Sequence, residues 1–166
     1  YAAIPAEMKQ VAHLLGGETL RDVEDRVESS IALLKGKVPD RAILRALHFV
    51  DEDRRVREML TALKNDDLAS FFDGVIASGE SSWMLLQNLF VPGGDNQEMP
   101  LALEMSRRML TGRGAWRIHG GGFAGTILAF VPVDLMPAYR EAMDSVFGQG
   151  AVKPLYIRPE GAVWLR

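Results

Sequence analysis

Apolar positions along the first two thirds of the chain recur at helical spacing. Ile4, Met8, Val11 and Leu15 fall on one face, and Gly16-Gly17 supplies a C-terminal stop. Thr19 is placed to cap a second helix carrying Leu20, Val23, Val27, Ile31 and Leu34 on one stripe, ended by Gly36 and Pro39. A longer helix comes next, with Ile43, Leu47, Val50, Leu60 and Leu63 expected inward and a charged middle, Asp51 to Glu58, facing water. Asn65-Asp66-Asp67 reads as a turn with an N-cap. Leu68, Phe71, Phe72, Val75 and Ile76 then form another apolar face that runs to Gly79, and Glu98 to Leu110 is helical again.

The last third changes period. Ala115 to His119 reads as a strand, a glycine-rich turn comes after it, and the β-branched run Thr126 to Val133 reads as a second strand. Asp134 is placed to cap a helix with Leu135, Tyr139, Ala142 and Val146 inward, stopped by Gly148. Val152 to Pro159 and Gly161 to Arg166 read as two final strands around a Pro159-Glu160-Gly161 turn. Residues 1–111 are thus mostly helical and 112–166 run β-β-α-β-β. The pattern predicts an α+β domain over 1–166, with several helices packed on an antiparallel sheet.

Composition narrows the function classes. The 166 residues are one domain's worth, 48% hydrophobic and 25% charged, which is ordinary globular composition. A net charge of −3 with no stretch rich in Lys and Arg argues against nucleic acid. No apolar run reaches the ~18 residues of a membrane span, and the first ten residues lack a signal peptide's basic start and apolar middle. Cysteine is absent, which removes disulfides, thiolate metal sites and Cys nucleophiles and fits a reducing cytoplasm. The three histidines, His13, His48 and His119, are too scattered to propose a metal site. His48 is expected to be a hydrogen-bonded helix residue. The chain begins at Tyr1 rather than Met, so it is expected to be a processed product or a piece of a longer protein.

The sharpest local feature is His119-Gly120-Gly121-Gly122-Phe123-Ala124-Gly125-Thr126. Three successive glycines permit φ > 0 and expose backbone N–H groups, which can form a nest for phosphate. The same residues also suit a plain tight turn between two strands, and on their own they leave both readings open. Gly120, Gly122 and Gly125 satisfy G-x-G-x-x-G, yet that fingerprint needs a helix next, and Thr126 to Val131 is strand chemistry. His119 to Gly122 matches the oxyanion tetrapeptide of esterases, but no serine sits in a G-x-S-x-G elbow.

Arg117 to Thr126 resembles the third motif of the galactokinase, homoserine kinase, mevalonate kinase and phosphomevalonate kinase (GHMP) superfamily, and Gly-Gly-Gly-Phe points to its galactokinase family. Glu18 to Val23, Arg45 to Val50 and Leu63 to Leu68 are similar to other stretches of the galactokinase C-terminal half, in order. His119, Ala124 and Thr126 depart from the family's usual threonine, glycine and cysteine, and Ser78-Gly79 stands where a serine-histidine pair is expected.

The resemblance implies a GHMP-kinase C-terminal, ferredoxin-like sheet. It also implies that Gly120, Gly121, Gly122, Phe123 and Gly125 line the nucleotide side of an interdomain cleft. Arg117 and His119 alternate on one strand face, which would let both reach that cleft, with Trp116 and Ile118 facing the core. Tyr1 aligns with a tyrosine that contacts the sugar. The full-length parent would use ATP and Mg to convert galactose to galactose 1-phosphate and ADP. No catalytic residue, metal ligand, phosphate loop or sugar-binding G-E-H-x-D segment is found in this chain. The family carries these in its N-terminal half, absent here, which is the expected partner of this domain. The fragment is therefore expected to be inactive alone, to bind no cofactor tightly and to self-associate through exposed apolar surface. Trp83 to Phe90 is either core or the face that meets the other half. Another GHMP small-molecule kinase and a non-catalytic sensor on the same scaffold are the alternatives.

Overall fold

The computed structural model describes residues 2–91, 93–123, 125–161 and 163–164. The chain divides into two compact units, Tyr1–Val131 and Pro132–Arg166.

The first unit opens with α1 (Ala3–Leu14), whose apolar stripe buries Val11 and Leu15. It closes as expected at Gly16, where φ is +82°, and the Gly17 N–H donates back to Ala12 O at 2.9 Å. Thr19 is the cap foreseen, with its N–H donating to Asp22 Oδ2 at 2.8 Å in a capping box. The segment it caps is not one helix. It is a 3-10 turn (Leu20–Val23), α2 (Glu24–Val27), a second 3-10 turn (Glu28–Ser30) and α3 (Ile31–Leu34). The winding changes shift the stripe, so Leu20, Val23, Val27 and Leu34 are buried while Ile31 faces outward. With Ala42, Ile43 and Ala46 of α4 (Asp40–Lys64) they complete the first core.

Leu60 and Leu63, expected inward on α4, are each 51% exposed, and Ala62 is buried instead. At about 100° per residue, Ala62 lies roughly 160° round the helix from Ala46. The two ends of α4 therefore bury opposite faces. α1 covers its N-terminal half, and the helix folding back after Asn65–Asp67, α5 (Leu68–Ser81), also packs on α4. Asp67 caps α5, accepting from Ser70 N at 3.0 Å. Phe71 and Phe72 of α5 reach Phe130, with ring centroids 5.8 and 5.5 Å apart.

A single π-helical turn, Ser82–Leu86, extends α5 and is ended by Gln87 at φ +58°. After a loop comes α6 (Glu98–Leu110), with the bounds the apolar spacing predicts. The sheet is one antiparallel pair, β1 (Ala115–Ile118) and β2 (Ile127–Phe130), in the register Ala115↔Phe130 to Ile118↔Ile127. Leu89, Met99, Leu103 and Ile118 form a second core, packed by Phe90, Trp116 and Ile127. Ile127–Phe130 is strand, so no helix succeeds the glycines and the dinucleotide fingerprint is excluded on geometry.

The second unit holds α7 (Met136–Phe147), whose N-cap is Leu135 in place of the expected Asp134, so it starts one residue later than expected, and it stops at Gly148, φ +95°. Tyr139 and Met143 are buried, whereas Val146, next to the helix's last residue and expected inward, is half exposed. The two terminal strands expected from Val152 onward are not formed among the described residues, so the sheet is smaller than the four-stranded one anticipated. Val152 N donates to Asp144 Oδ1 at 3.3 Å. Beyond it Leu155, Tyr156, Ile157, Val163 and Trp164 are exposed. Strand-forming residues make a strand only against a ladder partner, and here none lies alongside among the described residues. At the expected Pro159-Glu160-Gly161 turn the chain bends at Pro159-Glu160, with Arg158 Nε donating to Glu160 O at 2.8 Å, but without the flanking strands the turn was expected to join. Ala162, Leu165 and Arg166, part of the second expected strand, lie outside the described residues. No helix of the described residues is long and apolar enough to cross a membrane.

Candidate functional site

The glycine loop joins β1 to β2, and His119 N donates to Thr126 O at 3.2 Å to carry the ladder one step further. Inside it the backbone turns left-handed at Gly120 (φ +62°), Gly122 (+74°), Phe123 (+57°) and Gly125 (+78°). Left-handed residues set beside right-handed or turn residues aim successive N–H groups to one side, which is the conformation an anion nest uses. Positive φ at an aromatic residue is uncommon and has to be held by its surroundings. His119, Gly120, Gly121, Gly125 and Thr126 are exposed, and a Cβ at Gly120 or Gly125 would meet nothing within 4 Å, so the loop's outer side is open.

Its inner side is held by Asn88. Asn88 Nδ2 donates to Gly121 O at 3.0 Å, and Phe123 N donates to Asn88 O at 3.0 Å. Gly122 lies so close that a Cβ there would sit 2.2 Å from Asn88 O, so glycine is demanded by both φ and space. Asn88 is 0% exposed, and among the described residues its Oδ1 has no hydrogen-bond partner. A buried acceptor left unpaired costs about 1–3 kcal/mol.

The segment bearing Asn88 is pinned from behind. Arg45 on α4 is buried, donates Nε to Leu86 O at 3.2 Å and pairs with Glu7 of α1 at 2.8 Å. Arg41 also grips Glu7, and its hydrogen bond is the largest influence holding the Glu7 carboxyl below the usual carboxylate range. One helical turn from Arg45, His48 Nδ1 lies 2.9 Å from Ser81 Oγ, a structural hydrogen bond as anticipated from sequence. Burial, reinforced by Arg55 and Arg117, pushes the His48 pKa down to about 4, so the ring is neutral.

Arg117 points its guanidinium at α5. Its Nη1 donates to Ser78 Oγ at 2.6 Å, and Ser78 Oγ in turn donates to Glu52 Oε2 at 2.5 Å. Arg55 completes the group by pairing with Glu52. Gly79 permits this contact, since a Cβ there would lie 3.1 Å from Arg117 Cα. His119 is instead exposed at the base of the loop. β1 ends at Ile118, and His119 adds one further ladder bond before the chain turns at Gly120. Ile118 is buried and Trp116 packs on the second core, both as expected. Tyr1 lies outside the described residues.

The apolar run Trp83 to Phe90 divides in two. Leu89 is core, while Trp83 and Met84 are exposed beside a groove of about 420 Å³ that Leu103 and Trp116 also line. Among the described residues no three His, Asp or Glu side chains converge to hold a metal ion. Sequence reasoning passed over Asn88 and Glu7. The available signal was the polar pair Gln87-Asn88 interrupting an apolar run, since a buried polar residue is the informative exception.

No family model matches the chain. A galactokinase of Haemophilus influenzae (strain PittEE) is 31% identical over 136 residues, which is 81% of this chain and 34% of that protein. A galactokinase of Mycobacterium bovis (strain BCG / Pasteur 1173P2) is 28% identical over 167 aligned positions, 98% of this chain and 43% of that protein. The chain is a galactokinase homologue. In three dimensions it matches Lactococcus lactis galactokinase, solved in complex with galactose, with a TM-score of 0.67 over 87% of this chain and 35% of the other, at 23% identity. The chain thus spans between a third and a half of the length of these galactokinases.

Proposed function

We propose that this chain is the C-terminal half of an ATP-dependent galactokinase, which converts galactose and ATP to galactose 1-phosphate and ADP. The observation that carries the reading is the glycine loop. Among the described residues, four left-handed positions between two paired strands include Gly120 and Gly125, where open space lies at the Cβ position and lets a phosphate chain approach the backbone. The alignment with galactokinases at 31% and 28% identity supports galactose as acceptor.

In the reaction an oxygen of the sugar's anomeric hydroxyl bonds to the γ-phosphorus as the bond to the β,γ-bridging oxygen breaks, and ADP leaves. Catalysis of this kind is positioning plus charge stabilisation. On this reading the loop's glycines supply donors to the triphosphate, the Phe123 N–H being taken up by Asn88 O, and the loop forms one wall that excludes water. By family resemblance, the metal, the phosphate loop and the group that takes the hydroxyl proton are assigned to the N-terminal half. Tyr1 is assigned the sugar contact by family resemblance. A cytoplasmic address goes with the same reading.

The finer fold belongs here as well. In the complete kinase the segment from Val152 onward would pair and enlarge the hairpin into the ferredoxin-like sheet of GHMP-kinase C-terminal domains. Its exposed Leu155, Tyr156 and Ile157 support this, because they have strand chemistry and lack a ladder among the described residues.

The test is to assay the 166-residue chain and the full-length kinase with MgATP and galactose. Turnover is expected only from the full-length protein. Gly121→Val in that protein should raise KM for ATP about tenfold, a change of roughly 1.4 kcal/mol, with KM for galactose near its original value. Turnover with a different acceptor alcohol, or an unchanged KM for ATP, would overturn the reading.

A further inference from the structure

The Gly120–Gly125 loop cannot hold its own shape. Glycine has the widest conformational freedom of any residue, and Phe123 sits in a region that its side chain disfavours. Something outside the loop must select this conformation, and the structure shows one residue that touches it three ways. Asn88 donates its side-chain amide to Gly121 O, accepts the Phe123 N–H on its backbone carbonyl and presses against Gly122 where a Cβ would stand.

We infer that Asn88 is the positioning residue of the glycine loop, fixing the left-handed backbone that presents N–H groups to the nucleotide's phosphates. This rests on the reading of the loop as the phosphate contact. Two further observations single out Asn88. Its Oδ1 is buried without a partner among the described residues, so stability alone favours an apolar side chain of the same shape at this position. The asparagine instead adds a donor for Gly121 O. In addition, Gln87 is left-handed at φ +58° and Arg45 holds Leu86 O at 3.2 Å, so the chain is turned and pinned just before Asn88. The loop and its template are far apart in sequence and meet only because the π-helical turn ends where it does.

The role predicts opposite signs for stability and for function. Asn88→Leu keeps the size, removes the unpaired acceptor and removes the donor. In the full-length kinase it should leave Tm equal or higher, raise KM for MgATP about tenfold, and leave KM for galactose within about twofold. A merely structural residue would instead lower Tm and leave the two Michaelis constants moving together or not at all, and that result overturns the proposal. Should the variant fail to fold, amide hydrogen exchange on the unaltered protein decides. The Phe123 N–H is expected to be protected like the β1–β2 ladder, and exchange as fast as an open loop would sink the idea. If the unaltered kinase does not use MgATP at all, it is the functional reading that fails. Phe123 protection and the Tm of Asn88→Leu then still report whether Asn88 orders the loop.

Discussion

The β1–β2 hairpin and the segment from Val152 to Trp164 have the same kind of sequence. Both mix β-branched and aromatic residues with glycine punctuation. The hairpin is paired from Ala115↔Phe130 to Ile118↔Ile127, seats Ile118 in a core and meets Phe71 and Phe72 through Phe130. The terminal segment has no ladder among the described residues and leaves Tyr156 and Ile157 94% and 91% exposed. The two segments differ in one respect of composition: the terminal segment carries Pro154 and Pro159, which supply no ladder N–H, and the hairpin carries no proline. The hairpin closes on itself through a local turn, whose entropy cost is small, and α5 and α6 cover it. Among the described residues the terminal segment has no second strand of its own to meet. β-propensity describes a surface that pairing can use, and pairing must come from somewhere.

The largest effect should come from breaking the hairpin at its turn. Gly122→Ala places a Cβ 2.2 Å from Asn88 O at φ +74°, a clash with backbone that no side-chain rotation relieves. Urea denaturation should show a loss of at least about 2 kcal/mol, with strain and overpacking acting together. Gly120→Ala has the same sign of φ but open space, so it should cost only about 1 kcal/mol. Equal effects at the two positions would mean that Asn88 does not press on the loop in solution.

The share of the fold legible in the sequence depends on the reach of each interaction. The bounds of α6 and the stops at Gly16 and Gly148 were readable because apolar period and left-handed glycine act within one or two turns. The glycine loop was readable as a turn between strands for the same reason. Asn88 was not, since its partners Gly121 and Phe123 lie more than thirty residues away and an isolated asparagine carries no sign of them. Glu7 and Arg45 are 38 residues apart, and their pairing likewise required the fold. Leu60 and Leu63 were misjudged because periodicity gives one stripe per helix, whereas α4 meets α1 on one face and α5 on another. The Arg117–Ser78–Glu52 contact was not legible either, since Arg117 and Ser78 lie 39 residues apart.

An effect of comparable size, confined to acid pH, concerns the polar layer behind the hairpin. His48 has a pKa of about 4 in the folded protein against 6.5 for the free side chain, chiefly through burial. The folded pKa is depressed, so the unfolded chain binds the extra proton between those values. Stability is full above about pH 6.5 and falls as the pH drops toward 4, by up to about 3 kcal/mol. His48→Gln removes this titration while leaving an amide to meet Ser81 Oγ. It should flatten the Tm profile between pH 6.5 and 4. A profile that stays as steep as before would assign the acid sensitivity to groups other than His48.

The smallest effect should come from the terminal segment, and it tests the other side of the comparison. Ile157→Ser replaces an apolar side chain that is 91% exposed and removes no contact described in the fold. In the 166-residue chain it should change stability by less than about 0.5 kcal/mol, the range of surface substitutions without a structural role. Tyr156→Ser should behave alike. The same two changes in the full-length kinase separate two causes of the missing strand. Loss of more than about 1 kcal/mol there would mean that the segment finds its ladder on the rest of the kinase, as burying one side chain of this size is worth roughly 1.5–3 kcal/mol. Neutrality in both contexts would mean that strand chemistry at this end of the chain is never used for pairing. In that case the enlarged ferredoxin-like sheet falls, and the two-stranded hairpin is the whole sheet of this domain.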